Sequence, residues 1–342
     1  MYSTSDTRSQ ADPTARRLTA ALQAVLPSSA RFEVLDVIEP AAATVRIGSH
    51  RLLARWVGRG SVRTVNQALM LRPRADVLVG SELSLGAGAA ASRAGVGWVD
   101  ESGAAEIAAG AILVSRTGRP RHAPARPAGW TPAVLSVAEA ILCGTKATVS
   151  ATAAATGHSM SSTARALAML TDFGLLEASA ERGRRSGRRV LDRDRLLDRY
   201  AEAARLLRPA AQLRCGVLWR DPLAELEKLG AHWERAGVRS AATGSLGAAV
   251  LAPYLTEIAG GEVYVDARSE PALRNAARHA GVEPMEGGRL LLRPFPTAAS
   301  ERLATKVGGV TVAPWPRVYA DLREVGVRGE EAAEHLREAV RG

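Results

Sequence analysis

Apolar positions recur along this chain in two periods, one that suits helices and one that suits strands. From Ala15 onward, Leu18, Ala21, Leu22, Val25 and Leu26 fall at helical spacing until Pro27 stops them. Strand-like runs occupy 32–38, 43–47 and 51–57. The spacing predicts a helix over 61–71, a buried strand over 75–80 and a short alanine- and glycine-rich helix over 85–94. Further strands are expected at 96–100, turned by Ser102-Gly103, and at 111–115. Short alternating elements of this kind make a small α/β domain over 15–116, behind a polar tail (1–14) expected to be disordered. Residues 117–130 hold three prolines and three arginines without apolar periodicity, the pattern of an extended linker.

The stretch 131–195 has a different rhythm. An apolar run, Val134 to Leu142, is followed by Val149 to Thr156, closed by Gly157. In the next segment Thr163, Leu167 and Leu170 share one helical face, with Ser161, Ser162 and Arg165 away from it. Gly174 suits a left-handed helix cap, after which Leu175-Leu176-Glu177-Ala178 starts a strand and Val190-Leu191 returns as its partner. Between them, Glu181 to Arg189 carries five arginines against one glutamate. Three helices and a hairpin with a cationic tip predict a winged helix-turn-helix.

From 196 the alternation resumes in a C-terminal α/β domain (196–342). An amphipathic helix is expected over 192–207. Strands are expected at 212–219, 238–243, 262–266, 289–293 and 310–313, and helices at 222–236, 246–255, 270–280 and 329–340. The fold class is therefore α/β (α+β): a small N-terminal α/β domain, a central winged helix-turn-helix and a C-terminal α/β domain.

Charge sharpens this picture. The net charge is +10, which favours an acidic polymer as partner. No apolar run approaches the roughly 20 residues of a membrane helix, and the first ten residues lack the core of a signal peptide. The expected location is cytoplasmic, in association with the nucleoid. Cys143 and Cys215 stand far apart without a CxxC, so neither a disulfide framework nor a zinc site is indicated.

The central pattern resembles the winged-helix domains of bacterial transcription regulators, in which a serine- and threonine-rich recognition helix runs into a Gly-Leu strand start. Short Ser161 and Ser162 let the backbone approach the major groove, and Arg165 is long enough to reach a guanine edge or a phosphate. His158 and Ser159 stand at the helix start. Arg182, Arg184, Arg185, Arg188 and Arg189 would track phosphates or the minor groove. The stretch 75–115 resembles inactive restriction-endonuclease-like domains. Active members hold metal with an aspartate and a Glu-x-Lys pair, but here the expected strand reads Leu52-Leu53-Ala54-Arg55-Trp56-Val57. Tyr319-Ala320-Asp321-Leu322 and the Glu/Ala-rich helix after Gly326-Val327-Arg328 resemble the ending of AbiEi-type (type IV) antitoxins. Such proteins bind their own promoter, and some neutralise a nucleotidyltransferase toxin. That resemblance covers most of the chain, with the winged helix central here instead of leading.

Two rivals follow from the residues. Gly244-Ser245 and Asp266 echo a nucleotidyltransferase turn and carboxylate, although the second carboxylate is missing and Ser245 reads more simply as a helix N-cap. Asp76, Glu82, Asp100, Glu101 and Glu106 are the acidic residues of the first domain, with Asp100-Glu101 reading as a turn. The expectation is a non-enzyme without cofactor or metal that binds double-stranded DNA, acts as a homodimer on an inverted repeat and has no membrane association. Single-stranded nucleic acid, a nucleotide or a protein remain possible ligands of the α/β domains.

Overall fold

Residues 77–80, Val-Leu-Val-Gly, are buried on both faces, which explains why they read as a continuous apolar run. In a computed structural model of the chain they form the middle of a seven-stranded sheet. The structure describes residues 13–27, 30–38, 41–109, 112–118, 129–178, 187–207, 209–255, 258 and 260–341. It is a mixed α/β protein whose chain falls into two compact units, dividing between residues 123 and 124.

The first unit runs α1 (Pro13–Val25), β1 (Phe32–Ile38), β2 (Ala42–Ile47), β3 (His50–Trp56), β4 (Arg59–Gly60), α2 (Val62–Met70), β5 (Val77–Gly80), β6 (Glu82–Leu83), α3 (Leu85–Arg93), β7 (Gly97–Asp100), β8 (Ala105–Ala109) and β9 (Ile112–Arg116). Its sheet order is β1-β2-β3-β5-β7-β8-β9, parallel across β3-β5-β7 and antiparallel outside, while β4 and β6 form a separate two-residue pair. Leu18 and Leu22 of α1 cluster with Val77, Val79 and Val99. Leu78, whose side chain alternates to the other face, clusters with Val65 of α2 and Ala87 and Ala91 of α3. The small residues of α3 are explained by Gly88, where an added Cβ would sit 3.0 Å from the Trp98 indole. The strand β8 is absent from the sequence reading. Only Ile107 in Ala-Glu-Ile-Ala-Ala is a large apolar residue, so the alternation is faint.

The second unit begins with α4 (Pro132–Leu142), α5 (Val149–Thr156), α6 (Met160–Asp172), β10 (Leu176–Ala178) and β11 (Arg188–Val190), the three helices and hairpin expected from the sequence. It continues with α7 (Arg193–Ala204), β12 (Leu213–Gly216), α8 (Pro222–Arg235), β13 (Ser240–Thr243), α9 (Gly244–Leu251), β14 (Gly261–Val265), α10 (Glu270–Ala280), β15 (Glu283–Pro284), β16 (Leu290–Pro294), α11 (Ala298–Arg302), β17 (Thr305–Val307), β18 (Val310–Val312), α12 (Trp315–Leu322) and α13 (Val327–Arg341). The sheet order is β15-β12-β16-β14-β13-β18-β17, with β16/β14 and β13/β18 parallel.

Several expectations change. Trp130, read as the end of a linker, is 2% exposed and stacks on Phe173 at 5.6 Å, so it belongs to the helical core. Helix α9 starts at Gly244 with Thr243 in the N-cap position, which places Ser245 inside the helix. Residues 315–322 form a buried helix, which the short polar-apolar motif there did not announce.

One apolar core joins helices α4, α6 and α7 to the C-terminal sheet: Leu135, Leu167 and Tyr200 belong to the same cluster as Val263, Leu292 and Tyr319. Helix α4 is buried along nearly its whole length, including Ser136 and Glu139. Ser136 Oγ accepts from Ala299 N (3.0 Å). The Glu139 carboxylate accepts from Tyr200 (3.1 Å), Thr297 (2.8 Å) and Ser300 (2.8 Å) hydroxyls. Burial pushes the Glu139 pKa up, against the nearby Arg317 charge and these three hydrogen bonds.

Candidate nucleic-acid interface

The turn that separates α5 from α6 is built from local chemistry. Thr148 caps α5 by accepting from Ala151 N at 3.3 Å, and Gly157 ends the helix at φ +73°. That left-handed conformation favours glycine. Ser159 then caps α6 by accepting from Ser162 N at 3.2 Å, and its hydroxyl lies 3.2 Å from that of Ser161. Ser159 thus has a structural duty at the helix start besides any contact with a ligand.

Along α6, Thr163, Ala166, Leu167 and Leu170 are buried, while Ser161 and Arg165 are exposed and Ser162 is half-buried. The Arg165 Nε reaches back to Ser161 O at 3.5 Å, a contact too long to hold the side chain firmly. One side of the helix is therefore fixed in the core and the other presents two hydroxyls and a guanidinium. Helices α4 and α5 both pack on α6.

The hairpin stem places Glu177 opposite Arg189, and the two pair at 2.5 Å on an exposed surface. Arg188 is half-buried: its Nε donates to Thr171 Oγ1 in the last turn of α6 at 3.1 Å, and its backbone N–H donates to Ala147 O at 3.0 Å. Arg188 thus braces the wing against α6. Arg182, Arg184 and Arg185 lie outside the described residues.

His158 is half-buried. Its Nε2 is enclosed without a hydrogen-bond partner, and burial lowers the imidazole pKa. It lines a cavity of about 440 Å³ together with C-terminal residues, among them Tyr264, Arg293 and Phe295. The sequence places His158 with Ser159 at the helix entry, and the structure sets its ring at the seam between the helices and the sheet.

The carboxylates considered for metal chemistry are engaged elsewhere. Asp76 accepts from Leu53 N at 2.7 Å, tying β3 to β5. Asp100 is 1% exposed and closes the β7–β8 turn by accepting from Ser102 N (2.9 Å) and Ala104 N (3.2 Å). Asp266 pairs with Arg239 at 3.0 Å. Both cysteines are free thiols.

A cluster that the sequence did not reveal lies under the cavity. Asp321 of α12 accepts from Thr243 Oγ1 (2.5 Å) and Tyr264 OH (2.6 Å) and pairs with Arg317, both charges almost fully buried. The Arg317 and Arg293 guanidinium groups hold the Asp321 pKa below the usual carboxylate value despite its burial. The one available signal was the spacing of Arg317 and Asp321, four apart on one helical face. No protein-family model matches the sequence, and no curated protein or solved structure matches it either.

Proposed function

We propose that the chain is a sequence-specific, double-stranded-DNA-binding transcription regulator that acts as a homodimer on an inverted repeat. The observation that carries this reading is the two-sidedness of α6. Its inner face is sealed by Thr163, Leu167 and Leu170, and its outer face offers Ser161 and Arg165 at a helix start held by the Gly157 turn. An exposed serine-edged helix fits a major groove without steric conflict, and one guanidinium can bond a guanine edge in two places. The wing stem, tied to α6 through Arg188 and Thr171, supports the same reading, as does the net charge of +10. In this proposal the N-terminal unit has no catalytic part, because Asp76 and Asp100 are committed to backbone groups.

The test is a fluorescence-anisotropy titration of labelled duplex from the gene's own upstream region, with footprinting to map the site. Arg165→Ala should weaken binding by about 1–3 kcal/mol and relax preference at one base position. Unchanged affinity and an unchanged footprint would remove α6 from the reading role.

A further inference from the structure

Strands β14 and β16 run parallel, and the chain leaves their C-terminal ends around the 440 Å³ cavity that His158 closes from the helical side. Clefts beyond the carboxyl ends of parallel strands are recurrent ligand sites, and this volume suits a metabolite. The polar groups there are unevenly satisfied. Asp321 is saturated by Thr243, Tyr264 and Arg317, the carboxylates Asp266 and Glu301 are held by Arg239, and the fourth lining carboxylate, Glu324, lies near the Arg205 charge. The donors are not saturated: Arg205, Arg293 and Arg317 line the cavity and each keeps a buried Nε without an acceptor. The Arg317 side chain is only 4% exposed. Buried donors in folded proteins are nearly always paired, so three around one cavity point to an acceptor that completes them.

The walls add shape. Tyr264 and Phe295 pack with ring centroids 5.8 Å apart, and the Arg293 guanidinium lies 5.4 Å from the Tyr264 ring centroid. Such a surface accepts a flat ring. We propose that this cavity binds an anionic, ring-bearing metabolite, its phosphate or carboxylate on the three arginines and its ring against Phe295 and Tyr264, and that the ligand adjusts DNA binding through His158. The coupling half rests on the DNA-binding reading, since His158 lies in the turn between α5 and α6, one residue after Gly157. The ligand half does not.

The experiment uses the full chain. Thermal melts are recorded with adenosine monophosphate, salicylate, inorganic phosphate or uncharged adenosine at millimolar concentration. Adenosine monophosphate or salicylate should raise the Tm by about 2 °C or more, with smaller shifts from phosphate and adenosine. Which of the two acts separates a phosphate from a carboxylate. The shift should be lost in Arg205→Ala and in Phe295→Ala, whose folding is checked by circular dichroism. Arg205→Lys should retain part of the shift and serves in place of an alanine variant that fails to fold. No shift with either anionic probe, or a shift that both alanine variants keep, overturns the site. The active probe should also change DNA affinity by about fivefold or more. A Tm shift with unaltered DNA affinity overturns the coupling, and a Tm shift in a protein that binds no DNA overturns only the DNA-binding reading.

Discussion

Glu139 is the one acidic residue of α4. Its carboxyl is enclosed in α4 and receives three hydroxyl donors, yet loss of water outweighs them and raises its pKa. An acid whose pKa is higher folded than unfolded contributes stability at low pH, and that contribution fades as pH rises through the folded pKa. Glutamine keeps an acceptor for the hydroxyls and does not titrate. Melts of Glu139→Gln and the parent between about pH 5 and 8 should therefore show the parent's relative advantage shrinking as pH rises. Parallel curves would mean that Glu139 does not change protonation there. Glu139→Ala leaves the Tyr200 hydroxyl without its acceptor and Thr297 and Ser300 with only each other, and should cost about 2–4 kcal/mol near pH 5 and less as pH rises. The sequence held a trace of this arrangement. Ser136 and Glu139, three apart, are the polar residues in an otherwise apolar run, but nothing local indicated that Thr297 and Ser300 would meet Glu139 from 158 and 161 positions away.

At the scale of elements, the proposed DNA-reading surface depends on one turn and one hairpin. Gly157 adopts φ +73°, and an added Cβ would lie 3.3 Å from the Arg302 side chain. Gly157→Ala should therefore destabilise the protein by about 1–2 kcal/mol, seen as a lower urea midpoint with an unchanged slope. The wing contributes differently. If Arg182, Arg184 and Arg185 meet phosphates, replacing all three with alanine should weaken binding to every duplex alike. The salt dependence should then flatten by about one unit per arginine removed, read from affinity against salt concentration. Elements with strong periodicity were legible from sequence: β1 and α10 fall where their patterns put them. The weak elements were not. Five-residue α11 and three-residue β17 are shorter than the window needed to display a period, and the partners that stabilise them are distant in sequence.

Among the described residues, the first unit has two cores, on either side of one sheet, and the second has one continuous core. The second fact was beyond reach of sequence, because α4 and α7 have amphipathic or apolar faces that fit either a free-standing winged helix or a shared interior. Here Leu196, Leu197 and Tyr200 of α7 sit in the same cluster as Leu135 and Tyr319. A fragment of residues 124–342 should accordingly melt in one transition, with helices and sheet lost together by circular dichroism and tryptophan fluorescence. Separate transitions by the two probes would show that the helices and the sheet unfold independently.

Consider what the hydroxyl-lined slot around Glu139 means for exchange of parts between genes. A crossover placed just after the hairpin would give the three helices a new chassis and leave an acid facing grease, without the hydroxyls of Tyr200, Thr297 and Ser300 to receive it. A crossover placed upstream of Trp130 would carry the lock and its key together. If α6 reads DNA as proposed, descendants of this chain should acquire new specificities by point changes on its outer side, because the three-helix unit cannot be traded without its seat.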